Sequence, residues 1–320
     1  MLDQGTVPQA LLQEGKAKTL GELISTYVAE KAISSLDKEV LKFVVPDLAS
    51  TPIPGITIAW ARSWVNSLKR EKRLAPGTIR KRVGAVSRCL DWHVQHDDLA
   101  VNPLRQLPRG YANYAPADGE PREDTERDRR LLADEETKIR LVLGRDADYI
   151  KSIGRERPIS EEHIEEWRLL FDLALETAMR LQEMYTLSAK QIDLPRKTIF
   201  LDKTKNGSKR QVPLSSVAIK LLDESIKNIR GVYLFPFWDG KPESLRRTTY
   251  RLSAKWRRIA ALASCDDLRF HDLRHEAVCR LYERTTLSDV QIARITGHKQ
   301  LSMLRRYASL RGSDLADSLW

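Results

Sequence analysis

Apolar residues recur at helical spacing through the first third of the chain, where three helices are predicted. The first begins after Thr19, and the second is predicted over 59–68. A Pro-Gly break precedes the third, which is predicted over 77–94. The stripe of the first helix consists of Leu20, Leu23, Ile24 and Tyr27. We therefore predict a helical domain over 19–110, after a flexible start at 1–18.

The segment 111–130 is polar, charged and poor in apolar side chains, so we predict a linker between two domains. Helical spacing returns near Asp134 and again after Ser160, whose hydroxyl is a suitable N-cap. The apolar face of that later helix consists of Ile164, Trp167, Leu170, Phe171 and Ala174. These helices open a second domain, predicted over 131–320.

The period of the pattern changes inside the second domain. Short strand-like pieces over 198–201 and 211–214 lie on either side of Asn206-Gly207, a pair that strongly favours a two-residue hairpin turn. Helical patterns resume afterwards. The predicted fold class is therefore mainly α with a small β-hairpin or sheet, an α+β domain that follows an all-helical one.

Composition indicates a folded protein with a polyanionic partner. Of the 320 residues, 42% are hydrophobic and 31% are charged, which is typical of a globular chain rather than a disordered one. The net charge is +10, and cations near phosphates release condensed counterions, so nucleic acid is the favoured partner.

The positive charge is concentrated in two stretches that are candidates for DNA contact, although an ordinary solvated face is the alternative for each. The first flanks a helix start and comprises Lys69, Arg70, Lys72, Arg73, Arg80, Lys81 and Arg82. The second is free of acids and comprises Arg246, Arg247, Arg251, Lys255, Arg257 and Arg258.

Other compositional features favour an intracellular protein. The three cysteines are far apart and form no CxxC pair, as expected for reduced thiols. The N-terminus does not have the pattern of a signal peptide, and no apolar run approaches the roughly 18 residues that span a bilayer. We expect a soluble, cytoplasmic protein without a membrane partner, associated with the nucleoid when it is bound to DNA.

Four short motifs in the second domain carry groups suited to phosphodiester chemistry. Two guanidiniums can stabilise the charge that in-line attack places on the non-bridging oxygens, and imidazoles can bind the same oxygens and handle protons. A lysine can protonate the departing 5′ oxygen, and a tyrosine hydroxyl can act as the nucleophile. The residues are Arg180, Lys205, His271, Arg274, His298 and Tyr307.

Taken singly, each motif also has a structural interpretation. Arg180 and Glu183 are three residues apart and could form an ordinary helix ion pair. His271 and His275, with Cys279 one turn later, could ligate a metal, although no further ligand completes such a site and we expect none. The lysine could be a plain turn residue, and the tyrosine could serve only in packing.

Together, the motifs resemble the catalytic domain of the tyrosine recombinases, the phage integrase family, and their wording is most similar to integrases and shufflon-type DNA invertases. Ala178 stands where the family often has glycine, and Lys203 and Lys209 are alternatives to the matched lysine. The matching residues are Arg180 in ETAMRLQEM with Glu183 as its bracing acid, Lys205 in TKNG, His271 and Arg274 in FHDLRHEA, His298 in TGH and Tyr307 in MLRRYASL.

The resemblance implies a two-domain, C-shaped clamp on double-stranded DNA, with a core-binding domain over 19–110. It implies paired core-type half-sites, a homotetramer in the synaptic complex, a 3′-phosphotyrosine at Tyr307 and a Holliday junction. Accessory DNA-bending or directionality proteins are possible partners. The chemistry itself requires no metal, nucleotide or other cofactor. The C-terminal tail (Leu315, Leu319, Trp320) could dock on a neighbouring protomer or pack on its own domain.

Two other functions compete with recombination. A type IB topoisomerase uses nearly the same chemistry but needs one protomer and little sequence preference. A non-enzymatic regulator could use 288–308 as a helix-turn-helix, with Gly297 in the turn. The regulator leaves Arg180, Lys205 and the His271–Arg274 pair unexplained.

Overall fold

The computed structural model describes 17–124, 127–155, 158–202, 209–229 and 231–311, with side chains as far as Tyr307. Several predicted features lie outside these residues: Lys203 and Lys205, the Asn206-Gly207 turn, and the tail residues Leu315, Leu319 and Trp320. The chain divides into two compact units, Met1–Glu126 and Arg127–Trp320.

The N-terminal unit is helical, and its core comes from the apolar stripe of each helix. The three predicted helices are confirmed to within two residues, and an unpredicted one lies between the first and second. Its pattern is mixed because Leu36 and Phe43 are exposed on it while Leu41, Val44 and Leu48 are buried. The helices are α1 (Leu20–Glu30), α2 (Ser35–Leu48), α3 (Ile58–Arg70) and α4 (Pro76–Gln95).

Much of the polar segment after this helical bundle is packed on the N-terminal unit. Ala112 is buried in the apolar core of the unit. The Tyr114 hydroxyl donates to the carbonyl oxygens of Lys69 and Leu74, both at 3.0 Å. Asp118 is buried as well. A few anchors therefore fix a stretch whose overall composition is that of a linker, and the chain passes to the second unit only after Glu126.

The second unit combines helices with a three-stranded antiparallel sheet in the order β1-β2-β3. Ile199 of the second strand lies opposite Val212 of the third, and both side chains are buried. The strands are β1 (Ile192–Asp193), β2 (Thr198–Leu201) and β3 (Arg210–Pro213). The helices are α5 (Ala133–Gly144), α6 (Ala147–Ser152), α7 (Ile164–Thr177), α8 (Leu181–Tyr185), α9 (Ser216–Ile226), α10 (Leu245–Leu262), α11 (Phe270–Arg284) and α12 (Asp289–Thr296).

Three details differ from the sequence-based expectation. Helix α7 begins at Ile164 with His163 as its N-cap residue, so the Ser160 cap is wrong; that hydroxyl accepts from the Glu162 backbone instead. The third strand begins one residue earlier than predicted, at Arg210. The two-residue strand β1 was not predicted, because so short a piece has no periodicity.

Two apolar clusters position the candidate site. The larger one is built around α7, where the Phe171 ring stacks on Trp256 of α10 with centroids 5.9 Å apart. The smaller one joins α11 and α12 to a 3-10 segment, Leu301–Arg311, through Tyr282, Ile292 and Leu304. This second cluster holds the segment that carries Tyr307. No helix in the described part of the chain is both long enough and apolar enough to cross a membrane.

Candidate active site

A left-handed residue at the end of α7 turns the chain and presents Arg180. Ala178 has φ 52° and ψ 22°, a conformation that costs any side-chain-bearing residue energy and suits glycine best. Arg180 then caps α8: its backbone N–H donates to one Glu183 oxygen and its Nη1 to the other, both at 2.8 Å. Its Nη2 lies 3.4 Å from the Gly297 carbonyl oxygen. The sharp turn therefore fixes the guanidinium beside the α12 terminus.

Glu183 holds two arginines, and the sequence motifs had identified only one of them. Arg210, at the start of β3, grips both carboxylate oxygens at 2.8 Å, and its Nε donates to the Ile295 carbonyl oxygen. Burial alone would raise the pKa of Glu183, but the bonds and charges of Arg210 and Arg180 lower it to about 2. The carboxylate is thus ionised at any physiological pH and braces Arg180 from behind.

Arg274 of α11 is 5% exposed, and its guanidinium binds the ends of two other helices. Its Nη1 donates to the Ala178 carbonyl oxygen after α7, and its Nη2 donates to the Thr296 carbonyl oxygen of α12 at 2.6 Å. Burial and the nearby positive charge of Arg180 lower the pKa of Arg274 to about 9, so it remains charged at neutral pH. Arg274 therefore adds a buried positive charge beside Arg180.

His271 stands one helical turn before Arg274 and shares a cleft of about 550 Å³ with both motif arginines. Arg257 and Arg269 also line this cleft. Partial desolvation of the ring by the protein is the main cause that lowers the pKa of His271, and the positive charge of Arg274 comes next. The residue as a whole is still exposed to solvent. The cleft therefore presents four cationic groups and a neutral imidazole, an arrangement suited to a phosphate.

His298 follows Gly297 at the end of α12, and its Nδ1 lies 2.7 Å from the Thr296 hydroxyl. That hydroxyl donates its proton to the Ile292 carbonyl oxygen, so it accepts from Nδ1–H of the imidazole. Burial and the positive charge of Arg274 lower the pKa of His298 to about 4. The ring is therefore neutral at physiological pH, with Nε2 available as an acceptor.

Tyr307 is 5% exposed, and its ring stacks on Tyr282 at a centroid distance of 5.6 Å. Its hydroxyl lies 2.7 Å from Nδ1 of His275. Burial is the main cause that raises the pKa of Tyr307 to about 12, although the Arg274 charge opposes the shift. The phenol is thus neutral at physiological pH, and the group it touches is His275 rather than one of the matched histidines.

The sequence had singled out His275 only as part of a candidate metal site with His271 and Cys279. Its Nε2 lies 3.0 Å from the Asp128 carbonyl oxygen, so both ring nitrogens have protein partners. Within the described residues, no group of three or more His, Cys, Asp or Glu is arranged to hold a metal ion. His275 belongs structurally with Tyr307.

Comparison with known proteins is consistent with this geometry. The sequence model of the phage integrase family matches residues 155–313, which include every described residue of the site except Asp128. The matched region is therefore a phage integrase domain. The described family residues thus come from three of the four motifs, and Arg180, His271 and Arg274 line one cleft.

Relatives and solved structures extend the family match. A shufflon-specific DNA recombinase of Escherichia coli is 36% identical over 62% of this chain, but the alignment spans only 44% of that protein. A putative integrase/recombinase of Haemophilus influenzae is 28% identical over 90% of this chain and 71% of its own length. A lambda integrase dimer bound to a COC′ core site has a TM-score of 0.61 at 19% identity, with 97% of this chain and 83% of that chain covered. The last similarity establishes the fold.

Most cations of the first basic stretch are engaged by acids of the N-terminal unit. The Lys69 ammonium is buried against Asp118, which also accepts from Arg70. The other pairs are Lys72 with Asp47, Arg73 with Glu120, and Arg80 with Asp124. Lys81 is exposed and Arg82 is half-buried. The sequence window had contained a single acid, because the pairing acids lie elsewhere in the chain.

The second basic stretch lies on α10, whose buried face is formed by Leu252, Trp256 and Ile259. Arg251 donates to the Phe237 carbonyl oxygen, and Lys255 is half-buried. Arg257 reaches the cleft that holds His271. The remaining members, Arg246, Arg247 and Arg258, are exposed. This helix therefore extends the positive surface outward from the family site.

Proposed function

We propose that this chain is a site-specific DNA recombinase that cleaves and rejoins strands through a 3′-phosphotyrosine at Tyr307. The observation that carries the proposal is the convergence of two family arginines on one cleft. Arg180 and Arg274 come from motifs nearly a hundred residues apart, yet both bind the backbone at the end of α12. Two guanidiniums held so closely repel one another, and a bound phosphate relieves that repulsion.

The proposed reaction assigns each group a role. Arg180 and Arg274 bind the non-bridging oxygens and stabilise the charge of the transition state. His271 and His298 assist at the same phosphate, and Glu183 holds Arg180 in position. Lys205, which lies outside the described residues, is proposed to protonate the departing 5′ oxygen, with Lys203 or Lys209 as alternatives. Rejoining is the reverse reaction with a 5′ hydroxyl from the partner strand.

The larger assembly is part of the same proposal. The units correspond to a core-binding domain over 19–110 and a catalytic domain over 131–320, and they clamp double-stranded DNA, with the linker assigned to 111–130. Four protomers would pair two sites with core-type half-sites and pass through a Holliday junction at the nucleoid, with accessory proteins as candidate partners. One structural neighbour, a lambda integrase tetramer bound to a Holliday junction, supports this assembly. The basic face of α10 supports DNA contact.

A covalent-trapping experiment tests the proposal. Purified protein is incubated with a nicked suicide substrate made from the DNA that flanks its gene, and products are resolved on a denaturing gel. Wild-type protein should form a covalent protein–DNA band, whereas Tyr307→Phe should form none and still bind the site in a mobility-shift assay. Equal loss of binding and cleavage in Tyr307→Phe would identify Tyr307 as a structural residue. A wild-type protein that binds DNA without forming adduct would be a regulator.

The same preparation separates a recombinase from a type IB topoisomerase. A topoisomerase relaxes supercoiled plasmid without a target site, and a single protomer suffices. The proposed recombinase should instead require paired sites and produce exchanged products. We expect exchange to depend on a second copy of the site; relaxation of plasmids that lack the site would support the topoisomerase.

A further inference from the structure

His275 connects the candidate nucleophile to a fixed backbone carbonyl. The Tyr307 hydroxyl lies 2.7 Å from Nδ1, and the Asp128 carbonyl oxygen lies 3.0 Å from Nε2. A carbonyl oxygen can only accept, so Nε2 carries the hydrogen. Nδ1 of the neutral ring is then unprotonated, and the Tyr307 hydroxyl donates to it. The contacts thus assign the tautomer that can take a proton from the phenol.

The segment that supplies this carbonyl is held on both sides of Asp128. Arg127 donates to both carboxylate oxygens of Asp272, at 2.8 and 2.7 Å. Arg130 pairs with Glu276, which lies next to His275 on α11. The Asp128 carbonyl is therefore fixed to the same helix as the imidazole. An imidazole oriented by a third group and touching a hydroxyl is the usual arrangement for activating a weak nucleophile.

We propose that His275 is the general base that accepts the phenolic proton as Tyr307 attacks DNA; this inference rests on the proposed function. The proton moves from the Tyr307 oxygen to Nδ1, a bond forms between that oxygen and phosphorus, and the bond from phosphorus to the 5′ oxygen breaks. The 5′ oxygen receives a proton from the general acid, and His275 becomes an imidazolium that still donates to Asp128. Rejoining returns the proton to the tyrosine.

The charges around the ring favour its neutral form. Arg306 lies next to Tyr307, and its Nη1 donates to the Arg127 carbonyl oxygen at 3.1 Å. Arg306 and Arg130 oppose protonation of His275, whereas Asp128 favours it. Burial is the main cause that lowers the pKa of His275 below its ordinary value. The base form therefore predominates at neutral pH, and it is lost as pH falls through the lowered pKa.

The test uses single-turnover cleavage of the suicide substrate by the full-length protein. His275→Gln keeps an acceptor for the Tyr307 hydroxyl but cannot take up its proton. We expect its cleavage rate to fall about 10²- to 10⁴-fold, with DNA binding unchanged. The wild-type rate should decrease as pH falls through the lowered pKa of His275, at a pH below the ordinary histidine range, and the variant should lack this limb. His96→Gln, at an exposed histidine of the N-terminal unit, controls for the substitution itself.

A second readout separates proton transfer from a structural defect. Tyr307 is replaced by a fluorinated tyrosine, whose phenol ionises more readily. The replacement should restore much of the rate in His275→Gln and change the wild-type rate little. No rescue, or a variant rate and pH profile like those of wild type, would overturn the inference while the adduct still supports the proposed function. Faster cleavage by His275→Gln would overturn it too, because His275 would then restrain the tyrosine. No adduct in wild type would refute the proposed function itself.

Discussion

Two arginines on the same helix are placed in opposite electrostatic surroundings. Arg280 of α11 donates to Glu276 at 2.9 Å and to Glu136 of α5 at 2.6 Å. Burial alone would lower its pKa, but the hydrogen bonds to these two carboxylates raise it above the ordinary value. Arg274, six residues earlier, donates to two backbone carbonyls, and its pKa is lowered. One charge is neutralised within the protein, and the other is oriented but not neutralised.

The difference shows how an anion site can be recognised in this fold. An arginine with a structural role stabilises the fold through carboxylates that neutralise its charge. An arginine that serves a phosphate is held by dipoles, because a carboxylate partner would compete with the substrate. Arg180 lies between these cases, since it shares Glu183 with Arg210 and the single carboxylate cannot neutralise two guanidiniums. The positive charge that remains is available to DNA.

The largest expected effect comes from replacing Arg274 and Arg280, in separate variants, with lysine. Arg274→Lys keeps a positive charge but cannot reach both the Ala178 and Thr296 carbonyls while facing the cleft. We expect it to lower the rate of covalent adduct formation about 10²- to 10³-fold, the usual effect of removing one transition-state donor. Arg280→Lys should change that rate by less than about tenfold, because it keeps a cation beside Glu276 and Glu136 and Arg280 does not line the cleft.

Single-turnover cleavage of the suicide substrate measures both rates, and mobility shift reports binding separately. If the two lysine variants lose cleavage equally, the distinction between a neutralised and an oriented arginine has no functional meaning. If Arg274→Lys loses binding as much as cleavage, its guanidinium contributes to ground-state affinity rather than to the transition state.

The next effect concerns protein stability and Glu183, the acid that Arg180 and Arg210 share. Arg210→Gln leaves the buried Glu183 carboxylate with Arg180 as its one remaining cationic partner among those described. We expect the free energy of unfolding to fall by about 3 kcal/mol, as is typical when one member of a buried pair is removed. Because Glu183 also binds the Arg180 backbone, cleavage should fall as well. Denaturant unfolding measures the free energy of unfolding, and the suicide substrate measures the cleavage rate.

A matched control is Arg140→Gln, which removes a more exposed arginine paired with Glu136 and Asp172. It should cost less than about 1 kcal/mol. The double variant Glu183→Gln/Arg210→Gln should be more stable than Arg210→Gln alone, since it removes a buried carboxylate that has lost one of its two arginine partners. A double variant that is less stable would mean that packing, not charge, explains the loss.

Sequence reasoning predicted the parts of this site that short motifs carry. Helices α1, α3, α4 and α7 and the strand 198–201 follow from periodicity, and the positions of Arg180 and Arg274 follow from the family resemblance. Arg210 was missed because its importance depends on a partner 27 residues away. A signal was nonetheless available: extending the predicted strand by one residue places Arg210 on the same face as the buried Val212, where an arginine requires a carboxylate.

The contacts of Tyr307 could not be predicted in the same way. Asp128 contributes a backbone carbonyl, for which any residue type would serve, so no motif marks it. The imidazole of His275 was noticed in the sequence. Its i, i+4 spacing from His271, however, suggested a metal ligand rather than a hydrogen-bond partner of a tyrosine. The pairing of the first basic stretch was equally hidden, because Asp118 and Asp124 are far from their partners in sequence. Tertiary contacts decide all of these cases.

The smallest expected effect tests how tightly Glu183 and Arg210 are packed. Gly297 has φ +74°, and a Cβ built there would lie 2.9 Å from Arg210 Nη1. Arg210 cannot move aside without breaking its bonds to Glu183 and the Ile295 carbonyl. Gly297→Ala should therefore destabilise the protein by about 2 kcal/mol and slow cleavage, combining backbone strain with displacement of the guanidinium.

Gly154 is the matched control for this substitution, since it has φ +71° and no described atom lies within 4 Å of the Cβ position. Gly154→Ala should carry only the backbone strain, about 1 kcal/mol, and leave cleavage unchanged. Denaturant unfolding of both variants isolates the displacement of Arg210 as the difference between them. Equal losses of stability, with cleavage intact in both variants, would mean that the Arg210 side chain moves aside with little loss of free energy. Its grip on Glu183 would then be too loose to position Arg180.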